Sequence, residues 1–318
     1  MSEEILVVKN LKKHFNTAQG VVKAVDGISF AINTGETFGL VGESGSGKST
    51  TAFTIMGVYA PTEGEISFKG TPLIGGVKQR PLSLKKDMQM VFQDPGSSLN
   101  PRKNVRQILE LPLKVHKLYQ GKEIDRMEEI LNMVGLPTEF LDRYPQAIGG
   151  GEKQLVAVAR ALATGASFIA LDEPTSALDV SMQAKIINTL LRIQKDLTLS
   201  YLFITHNLSL MRNVATRVGI MYLGKLMEIA PASEFFRSPV HPYTQMLISS
   251  IPVITSEEEE LKPKRVQSVG EIPSPVNLPP GCSFHPRCTE CKGECKISEP
   301  TMVEIEPGHY VKCHFCQN

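Results

Sequence analysis

The stretch Gly39 to Thr50, GLVGESGSGKST, limits what this chain can become more than any other part of it. An apolar run ending in Leu40 and Val41 gives way to a glycine-rich loop. Lys48, Ser49 and Thr50 then open a helical pattern, TTAFTIMGV. This is G-x-x-x-x-G-K-[ST] in the strand, loop and helix setting that gives the motif its physical meaning. Glycine lets the backbone wrap until successive N–H groups point at phosphate oxygens, and the start of the next helix adds its partial positive charge. Gly42, Glu43, Ser44, Gly45, Ser46, Gly47, Lys48, Ser49 and Thr50 are therefore expected to cradle a nucleoside triphosphate. Lys48 would reach the β- and γ-phosphates, and the Ser49 hydroxyl would ligate Mg²⁺.

Downstream segments supply further pieces of such a site. DMQMVFQDP (87–95) reads as a strand ending in Gln93 before a proline-broken loop. The run Phe168 to Leu171 reads as a buried strand that terminates in Asp172 and Glu173. In a P-loop protein the first such acid completes the Mg²⁺ sphere and the second can polarise water, although paired acids can also be a helix cap. SYLFITHN (200–207) reads as another buried strand, with His206 at its end beside the phosphates. A second glycine cluster, Gly149, Gly150 and Gly151, stands at the start of the helix LVAVARALATG and reads as another anion site or as a flexible linker. Phe15 could stack on a base or fill a core or edge position.

Around these motifs, residues 4–9 and 23–32 read as strands separated by a polar loop, in an antiparallel subdomain. Residues 104–142 switch to helical spacing, with Ile124, Met127, Ile130, Leu131 and Val134 recurring at that period, and read as an inserted helical subdomain. VGIMYLGKLMEIA (218–230) reads as a closing hairpin, and 252–281 as an extended linker rich in Glu and Pro. The fold class is α/β, with 318 residues and 42% hydrophobic content enough for a large domain and an appendage. A net charge of +1, from 34 basic and 33 acidic residues, argues against nucleic acid as the main partner. No apolar run approaches the roughly 18 residues that span a bilayer, and no secretory leader is visible, so a cytosolic protein is expected.

All six cysteines fall at or beyond Cys282. Such clustering without a leader favours metal over disulfides. A ribbon-like zinc quartet, Cys288-x2-Cys291 with Cys313-x2-Cys316, is one option, and free or oxidised thiols are another.

The ordered set Gly42 to Ser49, Gln93, the glycine cluster 148–152, Asp172 and Glu173, Asp179 and His206 resembles the ATP-binding subunits of ABC transporters. VFQDPGSSLNPR (91–102), DEPTSALDVSMQA (172–184), HPYTQMLISSIP (241–252) and GCSFHPRC (281–288) are most similar to the ATPases of dipeptide and oligopeptide importers, the F type in particular. The resemblance implies a P-loop NTPase of the ABC ATPase type over 1–251, with a mixed core sheet, an antiparallel β-subdomain and a helical subdomain at about 96–165. A Cys-rich metal-binding region over 282–318 follows the linker. It implies two ATPase subunits closing head to tail, with each ATP between one P-loop and the other subunit's glycine signature, and it counts Asp179 among the nucleotide-binding residues. By this likeness Phe15 stacks on adenine, Ser49 and Gln93 attend Mg²⁺, Asp172 supports it, Glu173 is the general base, and His206 orients water and γ-phosphate. The implied partners are two membrane-spanning permease subunits, a second homologous ATPase and a substrate-binding protein, at the cytoplasmic face of the membrane. The same engine could serve an oligosaccharide or nickel permease, or a soluble ABC ATPase outside transport. The set Cys282, Cys288, Cys295 and Cys313 matches relatives whose tail holds a [4Fe–4S] cluster, with Zn²⁺ as the alternative.

One position departs from the pattern. The signature L-S-G-G-Q reads Ile148-Gly149-Gly150-Gly151-Glu152 here, so a glycine replaces the serine whose hydroxyl would meet the partner-bound γ-phosphate. The lost hydrogen bond to a charged acceptor is worth roughly 1.5–3 kcal/mol. The composite site using this signature is expected to be the weaker of the two.

Overall fold

The computed structural model describes residues 3–176, 178–251 and 270–316. Ala177 and the stretch 252–269 of the expected linker lie outside the described residues.

Four apolar runs form parallel neighbours: β3 (Thr37–Val41), β6 (Met88–Val91), β7 (Phe168–Asp172) and β8 (Ser200–Thr205). β3, β7 and β8 are buried at every residue, which is why they read as continuous hydrophobic runs instead of alternating ones. With β9 (Arg217–Tyr222), β10 (Lys225–Pro231), β11 (Val303–Glu306) and β12 (His309–Val311) they make, among the described residues, a sheet of order β11-β12-β10-β9-β3-β8-β7-β6. Because β3, β6, β7 and β8 run the same way, their carboxyl ends emerge along one edge, where open α/β sheets bind ligands. Those ends carry the P-loop, Gln93, Asp172 with Glu173, and His206.

β1 (Glu4–Thr17), β2 (Gly20–Asn33), β4 (Glu63–Phe68) and β5 (Thr71–Pro72) form the antiparallel sheet, of order β2-β1-β4-β5 among the described residues. Its first hairpin is longer than the sequence suggests: the polar residues expected to loop out continue both strands. Polar partners facing each other across strands make this possible. Lys12 pairs with Glu63 at 2.6 Å and His14 with Asp26 at 2.9 Å, while a register shift at Asn10 keeps Leu11 buried. Phe30 stacks on Phe38 at 4.9 Å and ties this sheet to β3. The helix α1 (Lys48–Ile55) fills the space between the sheets through Ala52 and Ile55.

The other face of the large sheet is covered by helices. After α2 (Leu82–Asp87) and α3 (Pro95–Ser98) come α4 (Val105–Val115), α5 (Glu123–Val134) and α6 (Gly150–Leu162). The start of α4 is set locally: the Asn104 side chain accepts the Gln107 N–H at 2.9 Å and Gln107 returns the bond at 3.1 Å. α6 buries Leu155, Val156 and Val158 in the same core as Met127, Ile130 and Leu131 of α5. α7 (Val180–Leu197), α8 (Leu208–Val214), α9 (Ala232–Arg237) and α10 (Pro242–Ser249) complete the layer.

The C-terminal region is part of this architecture. β12 pairs with β10, and Phe284 is buried with its ring 5.4 Å from that of Tyr222 and 5.1 Å from that of Tyr243. Glu228 on β10 is fully buried and takes His309 Nε2 at 2.7 Å together with the N–H groups of Val240 and His241 at 3.1 and 2.9 Å.

Candidate active site

A cleft of about 630 Å³ opens at the carboxyl edge of the large sheet, lined by Ser44, Gly45, Gly47, Lys48, Ser49, Thr50, Gln93, Glu173 and His206. Val22, Ala24, Gly224 and Pro275 close its other side. Gly47 must be glycine: its φ is +107° and a Cβ there would lie 2.1 Å from the Ala24 carbonyl oxygen. Lys48 folds back over the loop, donating to the carbonyls of Gly42 and Glu43 at 2.8 and 2.9 Å and to Ser46 Oγ at 3.4 Å. It is 5% exposed, and burial lowers its pKa against the opposing pull of Glu173, Asp172 and Glu43. An ammonium held this way, with no direct carboxylate partner among the described residues, is suited to an incoming phosphate.

Ser49 Oγ donates to Asp172 Oδ1 at 2.8 Å. Adjacent oxygens in an octahedron with bonds of about 2.1 Å stand roughly 3 Å apart, so this pair fits Mg²⁺. Burial raises the Asp172 pKa and the Ser49 hydrogen bond opposes the rise; a bound cation would favour the charged form. Beyond it, Glu173 is held at both carboxylate oxygens, by Gln93 Nε2 at 3.0 Å and His206 Nδ1 at 3.1 Å. Its φ of +45° is unusual for a non-glycine residue and turns the chain at the end of β7 so that the carboxylate faces the cleft.

Other expected residues lie elsewhere. Phe15 is on β1 opposite Val22, and it is Val22 that lines the cleft; the Phe15 ring packs edge-on against Tyr59 at 5.2 Å. Gly149, Gly150, Gly151 and Asp179 are not in the cleft lining. Gly149 and Gly150 are exposed at the start of α6, whereas a Cβ on Gly151 would lie 2.2 Å from Met182 Cγ. Asp179 caps α7, accepting the Met182 N–H at 2.9 Å and the Ser181 hydroxyl at 2.6 Å. Two contacts on the P-loop were not foreseen. Tyr243 and Arg287 both bind Glu43, although HPYTQ and FHPRC are conspicuous motifs whose polar side chains were open to such a role.

The cysteines are free thiols. Among the described residues no three His, Cys, Asp or Glu side chains gather closely enough to hold a metal ion. Tetrahedral zinc, with Zn–S bonds of about 2.3 Å, needs thiolates roughly 4 Å apart, and neither expected quartet meets that requirement. The metal-binding tail is therefore not borne out as a preformed ion site. Burial pushes the Cys288 thiol up to about 11 and the Cys313 thiol up to about 12, which disfavours their thiolates.

Known proteins extend these observations. The family model for the ABC transporter matches residues 25–176, and that for the oligopeptide/dipeptide transporter C-terminal region matches 227–295. The oligopeptide transport ATP-binding protein AppF of Bacillus subtilis is 47% identical over 322 residues, 98% of this chain and 97% of its own. The dipeptide transport ATP-binding protein DppF of Escherichia coli is 39% identical, covering 98% and 95%. Among solved structures, cbiO1 from Clostridium perfringens, part of the ABC transporter complex cbiONQ, superposes with a TM-score of 0.66 at 28% identity over 74% of this chain and 92% of that one. The dimeric ATP-binding cassette MJ0796 in a post-hydrolysis state with ADP and Pi gives 0.64 at 27%, over 71% and 98%. With the strand ends, P-loop and acidic pair arranged as described, the chain belongs to the ABC ATPases, in the branch that carries the oligopeptide/dipeptide transporter C-terminal region.

Proposed function

We propose that this chain is the ATP-binding and hydrolysing subunit that drives an importer of dipeptides or oligopeptides. The observation that carries the reading is the near full-length likeness to peptide transport ATP-binding proteins, which extends through the C-terminal region. The loop amides and Lys48 bind the triphosphate, and Ser49 with Asp172 and Gln93 attends Mg²⁺, which would neutralise charge on the β- and γ-phosphates. Glu173 accepts the proton of the attacking water. Gln93 and His206, bonded to its two oxygens, fix the direction of that carboxylate and sense whether γ-phosphate is present. Phe15, paired across the hairpin with Val22, would have to leave its packing on Tyr59 to take the base. Gly149, Gly150, Gly151 and Asp179, standing away from the cleft, serve the ATP of a second, homologous ATPase subunit, so the isolated chain binds ATP but hydrolyses it slowly.

Among the described residues no helix is long and apolar enough to cross a membrane. In this reading the pathway belongs to membrane-spanning permease subunits, and this chain docks at their cytoplasmic face. A groove of about 700 Å³ between β6 and α4, lined by Met88, Met90, Phe92, Leu111 and Val115, is suited to an apolar permease segment. Its lining includes Phe92, the residue before Gln93, so closure around ATP would be felt by the permease. Two permease subunits, a second ATPase and an extracellular or periplasmic binding protein complete the assembly. Tagging the chain in its host and purifying from gently solubilised membranes tests this. Recovery of two permeases and a second ATPase supports it, as does ATP-dependent peptide uptake by the complex. Soluble partners alone would refute it.

For the tail, we propose that Cys282, Cys288, Cys295 and Cys313 accept a [4Fe–4S] cluster. The supporting feature is mutual: after burial, neighbouring thiols add to the upward push on each of Cys282, Cys288 and Cys313. A cuboidal cluster holds its thiolates farther apart than a single ion does. Iron and sulfide near four each per chain in anaerobically prepared protein would support it, and their absence would refute it.

A further inference from the structure

Glu43 is the second residue of the P-loop; its carbonyl is held within the loop, and its N–H and carboxylate are held by distant parts of the chain. Its carbonyl accepts Lys48 Nζ at 2.9 Å. Its N–H is taken by the Tyr243 hydroxyl at 3.2 Å, and that hydroxyl donates to the carboxylate at 3.3 Å. The carboxylate also receives both arms of the Arg287 guanidinium, at 2.7 and 3.0 Å. Tyr243 and Arg287 both fall in the C-terminal region, 200 and 244 residues further along the chain.

Arg287 is set in place before any nucleotide arrives. It is 5% exposed, and its guanidinium lies over the rings of Tyr222 and Phe284 at 5.7 and 5.9 Å. The short turn that carries it is fixed by two bonds from His285, N–H and Nδ1–H, to the Cys282 carbonyl at 3.0 and 2.9 Å. A two-pronged bond to a carboxylate from an arginine already ordered in this way sets the direction of the loop as well as its charge.

A carboxylate in a loop that must bind a polyphosphate works against binding unless its charge is cancelled. Partly burying an ion pair yields little stability by itself, so stability alone gives little reason to place one here. We propose that Arg287 is a positioning residue for nucleotide binding: it neutralises Glu43 and fixes the P-loop, making the C-terminal region a working part of the ATP site. The proposal rests on the chain being an ATP-binding subunit.

The test is a titration of the full chain with a fluorescent ATP analogue and Mg²⁺. Arg287→Gln is expected to weaken binding roughly tenfold, the effect of one uncompensated charge near a polyphosphate. Arg287→Lys, which keeps the charge and loses the fork, should recover most of that loss. Glu43→Gln should bind as tightly as the wild type or more tightly, and Glu43→Gln with Arg287→Gln should return to within about twofold of wild type. A purely structural pair would instead make the double variant as weak as Arg287→Gln, and that result overturns the proposal. So does wild-type affinity in Arg287→Gln. If Arg287→Gln does not fold, Glu43→Gln decides alone, since a tenfold loss there contradicts the charge argument. Failure of the wild type to bind the analogue would sink the ATP-binding reading itself and is thereby told apart.

Discussion

Restoring the missing signature hydroxyl with Gly149→Ser should speed the composite ATP site that uses it. Gly149 has φ −70° and ψ 166°, a conformation serine adopts without strain. A Cβ there meets only Glu152 Oε2, at 3.1 Å, the free end of a flexible side chain that already accepts the Gly149 N–H at 2.6 Å. The position precedes the first residue of α6, so serine also caps that helix, which adds a few tenths of a kcal/mol over glycine. Across the interface a hydroxyl bonded to phosphate contributes roughly 1.5–3 kcal/mol, less about 0.5–1 kcal/mol to immobilise the side chain. The net of about 1–2 kcal/mol corresponds to about five- to thirtyfold if the bond tightens in the transition state. Phosphate release by the complex of permeases and both ATPases, in nanodiscs, measures it, with Gly149→Ala as the control that adds the Cβ without the hydroxyl. Unchanged turnover in Gly149→Ser, or an equal gain in Gly149→Ala, refutes the reasoning.

Glu173→Gln should retain nucleotide binding while hydrolysis by the complex falls about 10²- to 10⁴-fold; a loss below tenfold would place the base elsewhere. Gly151→Ala should cost about 1–3 kcal/mol in urea unfolding because Met182 must move, and an unchanged midpoint would contradict that packing. His241 is buried and its pKa is pushed down to about 4, so between there and 6.5 the unfolded chain binds the proton that the folded one refuses. Stability is intact above 6.5 and falls as pH drops, by about 2 kcal/mol at pH 5. His241→Asn keeps an acceptor for the Tyr243 N–H and should flatten that slope, as unfolding at pH 7 and 5 will report; an identical slope would mean that other groups carry it.

The parts of the site that sequence made legible are those set within a few residues of a strand end. The run ending in Val41, the acids after Leu171 and the histidine after Thr205 each combine a buried strand with a chemical group, and parallel pairing then has one geometric outcome. The polar half of the β1–β2 hairpin was hidden because its strand character depends on charges from partners: Glu63 for Lys12 and Asp26 for His14. The placement of Arg287 on Glu43 was illegible for a related reason. A contact between residues 244 apart leaves no local periodicity, and the FHPRC motif states its own chemistry but not its address. The thiols show the opposite failure, since regular spacing suggested an ion site that side-chain placement does not assemble.

The seam between β10 and β12 also bears on how the protein is made. The strand that seals β10 leaves the ribosome long after it, and Glu228 waits for a histidine 81 residues downstream. Until then a carboxylate destined for the core has lost neither its water nor its reason to stay wet, and the β9–β10 hairpin offers an open edge to any passing strand. Assembly of the cassette therefore finishes from its far end. The C-terminal region is a keystone, and a nascent chain is most in need of chaperones in the interval before it arrives.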